Sequence, residues 1–269
     1  MPLLRSLLTS AALVGCLGAS AAWAQTTPQT APAAAPPAAP VFSDTQRQAI
    51  EAIVKDYLVK NPDVLQEAIA EGEKRAQETQ KLAQVAALKE SRDTLTNSPH
   101  GVVVGNPAGD VTVVEFFDYN CGYCRKALGD IQALVKADPK LRVVLRDFPV
   151  LGAESLEASK LALAAKQQLK ADRMFEFHVK LLETKGRVTG ERAVAVAKEM
   201  GLDTARLAKE AQGPEVKAAL SENVSLGDKL GLSGTPAFII GDEVVPGAVG
   251  VDPIRKIIAD VRQCGHAGC

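Results

Sequence analysis

Aromatic residues make up only 4% of this 269-residue chain, with a single tryptophan, and 31 basic against 32 acidic side chains leave a formal net charge of −1. No basic stripe is present, which excludes nucleic acid as a partner. Beyond the N-terminal segment no apolar run reaches eighteen residues, which excludes a polytopic membrane protein. Five cysteines are too few for a small disulfide-stapled scaffold, and the chain is too long to need one. What remains, at 46% hydrophobic and 23% charged, is a globular chain with enough length for one large domain or two modest ones around a real core.

Residues 1–24 carry one positive charge (Arg5), an apolar stretch from Leu7 to about Leu17, and small residues ending in Ala22-Trp23-Ala24. That is the plan of a secretory signal peptide cleaved before Gln25, and its short apolar part argues against a retained anchor. Leu13-Val14-Gly15-Cys16 offers a second fate, in which Cys16 becomes the lipidated first residue. Both place the chain in the periplasm, where Cys121, Cys124, Cys264 and Cys269 meet an oxidising environment. Residues 25–41 form a linker that is Pro, Ala, Thr and Gln as far as Pro40, an extended spacer that cannot bury a core.

Residues 42–97 read as helical. Ser43 or Asp44 is a good N-cap, and Ile50, Ile53, Val54, Tyr57 and Leu58 recur on one helical face. Pro62 interrupts and opens a second helical stretch, because it cannot continue the first. From Asp63 to about Leu95, Leu65, Ile69, Gly72, Ala76, Thr79, Ala83 and Ala86 keep a 4-3-4-3 spacing with small residues in the seam. So few core residues point to self-association, against a solvated helix that leans on the main domain.

A turn-rich hinge at Asn97–Gly101 precedes the strand candidates Val102–Val104, Val111–Phe117 and Leu141–Phe148. A helix from Cys121 to Lys136 joins the last two into a right-handed βαβ unit with a parallel pair. An almost wholly helical insertion, about 153–230, follows. Ala237–Ile240 and Glu243–Val245 flank Gly241-Asp242, a hairpin signal, and a helix from Asp252 to about Arg262 ends the order.

Cys121-Gly122-Tyr123-Cys124 follows the strongest strand and opens a helix. Half a zinc site and a purely structural disulfide are the competing explanations, but the strand–C-x-x-C–helix context favours a redox pair. At a helix N-terminus the unpaired N–H groups and the macrodipole stabilise a Cys121 thiolate. Cys124, one turn further in, is expected to be more buried and to resolve the mixed disulfide. Glu115 lies in an apolar strand on the face of Val111, Val113 and Phe117. It is either an exposed edge residue or a buried proton acceptor, and the second is preferred. Cys264 to Cys269 can close a small tail disulfide, stay as free or intermolecular thiols, or bind copper or zinc with His266. His178 is expected to be a packing or surface residue and His100 part of the hinge.

VEFFDYNCGYC (Val114–Cys124), the helical insertion and GTPAF (Gly234–Phe238) resemble the thioredoxin superfamily, and its DsbA branch closely, over about residues 101–263. The resemblance implies an α/β thioredoxin fold with a helical insertion, preceded by the helical oligomerisation segment, and no cofactor or metal. It assigns Cys121 as nucleophile, Cys124 as resolving thiol, Glu115 as the glutamate six residues upstream, and Pro236 as a cis-proline that docks substrate backbone. Ile50–Ile69 resembles the N-terminal segment of ScsC-type proteins, which are linked to copper tolerance. Gly122-Tyr123 and Thr235 before the proline are more like the DsbC and DsbG isomerases. The implied activity is disulfide exchange with exported, cysteine-containing clients, as donor or isomerase, served by a membrane redox partner. The rival is a copper-binding or client-holding protein that uses the same cysteines without turnover. Residues 264–269 are left as a cysteine-containing tail.

Overall fold

A computed structural model describes residues 41–269. The signal segment, Cys16 and the spacer as far as Pro40 lie outside the described residues. Two compact units divide at Pro62. In the first, helix α1 (Asp44–Lys60) starts at Ser43, whose side chain accepts from the Gln46 N–H while Gln46 returns the bond in a capping box. It buries no residue, and Ile53, Tyr57 and Val59 on its surface are all more than half exposed.

The second unit begins at Asp63, within α2 (Pro62–Asn97), whose seam from Leu65 to Ala86 lies wholly exposed. Then follow β1 (Val102–Gly105), β2 (Val111–Phe117), α3 (Gly122–Ala137) and β3 (Leu141–Asp147). The insertion supplies α4 (Ala153–Ala165), α5 (Ala171–Leu182), α6 (Gly190–Glu199), α7 (Thr204–Glu210) and α8 (Pro214–Lys229). Strands β4 (Ala237–Ile240) and β5 (Glu243–Pro246) and helix α9 (Val251–Cys264) complete it. The sheet order is β1-β3-β2-β4-β5. The β2–β3 pair is parallel, as a βαβ crossover requires, and the other pairs are antiparallel. Gly241 turns the β4–β5 hairpin with φ +63°, a conformation that glycine adopts freely.

Both faces of the sheet are covered, so β2 reads as a continuous apolar run rather than an alternating one. Val111, Val113 and Phe117 pack with Val143, Leu145, Phe238 and Ile240 beneath α3 and α9. Val114 and Phe116 pack on the other face with Val144, Ile239, Leu226 and Leu230, and with Leu88 and Leu95 of α2.

The residue segment 42–97 therefore does not behave as one piece. Leu88, Ser91 and Leu95 of α2 are buried, and its end is capped from β3. Arg146 donates to the carbonyls of Thr94 and Leu95, and Arg142 donates to that of Thr96 at 2.6 Å. Arg146 is itself fully covered and pairs with Glu222 at 2.5 Å and Asn223 at 3.0 Å. The orphan carbonyls at the helix end thus find cationic donors in place of water.

Candidate redox site

Strand β2 delivers its last residues to the N-terminus of α3, and Cys121 is the N-cap of that helix. Cys121 is 6% exposed, whereas Cys124, one turn further in, is fully covered. Both are free thiols in this structure. Across from them the Thr235–Pro236 peptide bond is cis, as the family resemblance implies, and the Cys121 thiol lies 3.1 Å from the Thr235 carbonyl oxygen.

The two sulfurs are treated in opposite ways. Hydrogen bonds from the Cys124 thiol, the Thr235 side chain and the backbone N–H groups of Cys124 and Tyr123 hold the Cys121 pKa down to about 5, against the opposing pull of burial. Burial pushes the Cys124 thiol far up, and the Glu115 carboxylate adds to that. Glu115 is 2% exposed on the central strand, opposite Leu145 and Phe238, so the edge-position alternative is excluded. Burial, then the charges of Cys121 and Asp130, raise its pKa to about 8. A carboxyl poised there can take up or release a proton near neutral pH.

Sequence reasoning missed the residues that set the loop. Asp118, fully buried, accepts from the Asn120 N–H at 2.7 Å and the Leu151 N–H at 3.0 Å. Asn120 ties the loop to the insertion through Ser155 and both backbone groups of Val188. Their only signal was an Asp and an Asn, turn-forming types, between a strand and a helix. Tyr119 donates to or accepts from His178 Nδ1 at 3.3 Å. His178 is buried against Phe117 and Phe175, and burial lowers its pKa to about 3, so it is the packing residue expected. His100 sits part-buried, 4.0 Å from Glu222.

The other pair lies apart from this site. Cys264 and Cys269 are joined as a disulfide with Cα atoms 6.6 Å apart. Among the described residues no group of three or more His, Cys, Asp or Glu is placed to hold a metal ion, and no helix is long and apolar enough to cross a membrane.

Comparison with known proteins agrees with this geometry. Residues 112–259 match the DSBA-like thioredoxin domain, and residues 46–78 match the copper resistance protein ScsC N-terminal domain. A thioredoxin-like oxidoreductase from Silicibacter pomeroyi is 43% identical, covering 64% of this chain and 98% of its own, with a TM-score of 0.62. A linker-deletion mutant of Proteus mirabilis ScsC is 26% identical over 84% of this chain and 99% of its own, at 0.63. The thiol-disulfide exchange protein α-DsbA2 from Wolbachia pipientis is 28% identical over 68% of this chain and 98% of its own, at 0.62. Among curated proteins, a Na(+)/H(+) antiporter NhaA 1 of Salinispora arenicola is 26% identical over 156 residues, and the chain spans about a quarter of such relatives' length. With more than half of its residues matched by the domain model and the thiol pair, buried glutamate and cis-proline in one place, the chain belongs to the DsbA-like thioredoxin family.

Proposed function

We propose that this protein is an exported, periplasmic thiol–disulfide oxidoreductase that exchanges disulfides with client proteins through Cys121 and Cys124. The observation that carries this reading is the opposite treatment of two thiols one helical turn apart, the first held as a thiolate near pH 7 and the second held protonated. Cys121 attacks a client disulfide, or is attacked as half of its own; a mixed disulfide forms and Cys124 resolves it. Glu115 accepts the Cys124 proton as that sulfur becomes the nucleophile. Thr235 and Pro236 face Cys121, where they position the client backbone. Stabilising the Cys121 thiolate favours the dithiol, which makes the disulfide form oxidising.

Self-association is part of this proposal. The apolar residues Ile50, Ile53 and Tyr57 of α1 are exposed, and so, in the second unit, are Leu65 and Ile69 of α2; each is apolar area that a second copy would cover. Several Cys121 thiolates in one assembly suit an isomerase, kept reduced by a membrane redox partner, whereas a single one suits a disulfide donor.

The test is refolding of a scrambled-disulfide substrate by the chain from Gln25 and by a version lacking residues 42–82. That cut spares Leu88, Ser91 and Leu95, whose loss would expose the sheet. Isomerisation that disappears with the truncation supports the oligomeric isomerase. Rapid oxidation of a reduced substrate by both versions, without isomerisation, supports the donor. Failure of both versions to isomerise the scrambled substrate or to oxidise a reduced one overturns the proposal.

A further inference from the structure

The second cysteine pair sits at the opposite end of the fold from the first. Two residues before Cys264, Arg262 donates to Asp110 and Asp138 at 2.8 Å each. Asp110 immediately precedes β2 and Asp138 immediately follows α3. Cys121 lies at the other end of both elements, and the 16 residues of α3 alone set the two ends about 24 Å apart at about 1.5 Å per residue. Sulfur atoms at that separation cannot exchange within one molecule.

The local surroundings differ as well. Cys264 and Cys269 are both exposed, and of residues 264–269 only Ala267 is even part-buried. The buried residues of α9 are Ile254 and Ile258, turns away from the tail. Nothing in the core depends on this bond, and the loop it closes spans a sequence separation of only 5 residues, where chain-entropy gains are smallest. The tail is held by other means. The Ala267 N–H donates to Asp242 at 2.8 Å, the Gly268 N–H to Asp260 at 3.2 Å, and the Gly265 N–H to the Val261 carbonyl at 2.9 Å. Both sulfurs lie near one acceptor, the Asp260 carbonyl, at 3.1 and 3.4 Å. The three backbone hydrogen bonds do not involve the sulfurs, so the tail's anchorage does not require the disulfide to be closed.

We propose that Cys264 and Cys269 form a second dithiol–disulfide couple, one that exchanges with thiolates outside the molecule and does not need its own Cys121 and Cys124. An external thiolate attacks one tail sulfur, the S–S bond breaks, and the other cysteine leaves as a thiolate. A second external thiolate attacks its own kind's sulfur in the mixed disulfide and frees the remaining cysteine. The tail gains two electrons and takes up the two protons that the external thiols lost, and those thiols leave as one disulfide. The proposal stands whether or not Cys121 turns over clients.

The test uses the chain from Gln25 with Cys121→Ser and Cys124→Ser, equilibrated under native conditions in graded mixtures of reduced and oxidised glutathione, then quenched, alkylated and weighed. The expected result is a single two-electron transition that adds two alkyl groups, with melting temperatures of the two forms within a few degrees. A tail that opens only when the protein unfolds is a structural staple, and a tail that never closes is a pair of free thiols; either overturns the proposal. A second arm mixes this oxidised variant with the reduced Cys264→Ser, Cys269→Ser variant. Electron transfer there identifies another copy's Cys121 as a source of the thiolate, and exchange with glutathione alone identifies a small thiol.

Discussion

One cysteine pair caps the beginning of a helix and the other ends one. Cys121 precedes α3 and finds backbone N–H groups and the Cys124 thiol turned toward its sulfur. Cys264 is the last residue of α9 and finds the Asp260 carbonyl instead. Helix polarity alone separates them, since an N-terminus offers donors to an anion and a C-terminus offers acceptors. Burial widens the gap. The first pair is walled in beside a carboxyl that can move a proton, and the second faces solvent with nothing to amplify its reactivity. The same bond type is chemistry in one place and an accessible accessory in the other.

The comparison breaks most sharply at Cys121. In a chain whose tail carries Cys264→Ser and Cys269→Ser, Cys121→Ser is expected to abolish disulfide exchange with a reduced or scrambled client, and residual turnover there would erase the distinction. Glu115→Gln comes next, slowing resolution by Cys124 on the order of 100-fold while leaving mixed-disulfide formation intact, as rapid-quench trapping would read. Equal loss in both steps would make Glu115 structural only.

The pH dependence of stability sharpens the difference further. The Cys121 pKa is lowered from 9.0 to about 5, so its thiolate stabilises the reduced protein fully above pH 9 and not at all below pH 5. Glu115, raised from 4.5 to about 8, acts in the opposite sense, withdrawing stability as pH rises between those values; its largest cause, burial, is common to both redox states, and only the smaller contribution of the Cys121 charge is confined to the reduced one. The melting temperature of the reduced form should therefore gain on that of the oxidised form from pH 5 to 9. A gap that stays flat across that window refutes the buried thiolate.

Thr235→Val removes one hydrogen bond to the Cys121 sulfur and should move its titration, followed by thiolate absorbance, upward by about one unit. The smallest effect is expected at the other pair. Replacing Cys264 and Cys269 by serine should lower stability by about 2 kcal/mol or less, measured by denaturant unfolding. A loss comparable to deleting a core leucine would give the tail a structural role.

Much of this was legible beforehand because it depends on local pattern. The β-branched run Val111–Phe117, the proline at 62 and the glycine of the hairpin each set their element within a few residues. Cys121 and Cys124 could be placed from strand–turn–helix context alone, and the burial of Glu115 from its apolar neighbours. Pairing partners across the chain were not legible. Nothing near Arg146 shows that it caps a helix ending some fifty residues earlier in sequence, at Thr94 and Leu95. Nor does the seam from Leu65 to Ala86 reveal that the docking face, Leu88, Ser91 and Leu95, lies on another side of the helix, with Leu88 two residues, or about 200° of turn, beyond Ala86. Asp118 and Asn120 were hidden for the same reason, because their partners Leu151, Ser155 and Val188 lie in the insertion.

The clamp on the end of α2 has a mechanical meaning. A helix of 36 residues is about 54 Å long, and its buried residues all fall in the last third. It is a cantilever with its fixed end on the sheet. A sideways force on the far end arrives multiplied by the length of the arm, and it is borne by Arg142 and Arg146 of β3. That strand is hydrogen-bonded to β2 along its whole length, with Leu145 beside Glu115. Whatever grips the outer part of α2 therefore has leverage on the strand next to the one that carries the acid beneath the thiols.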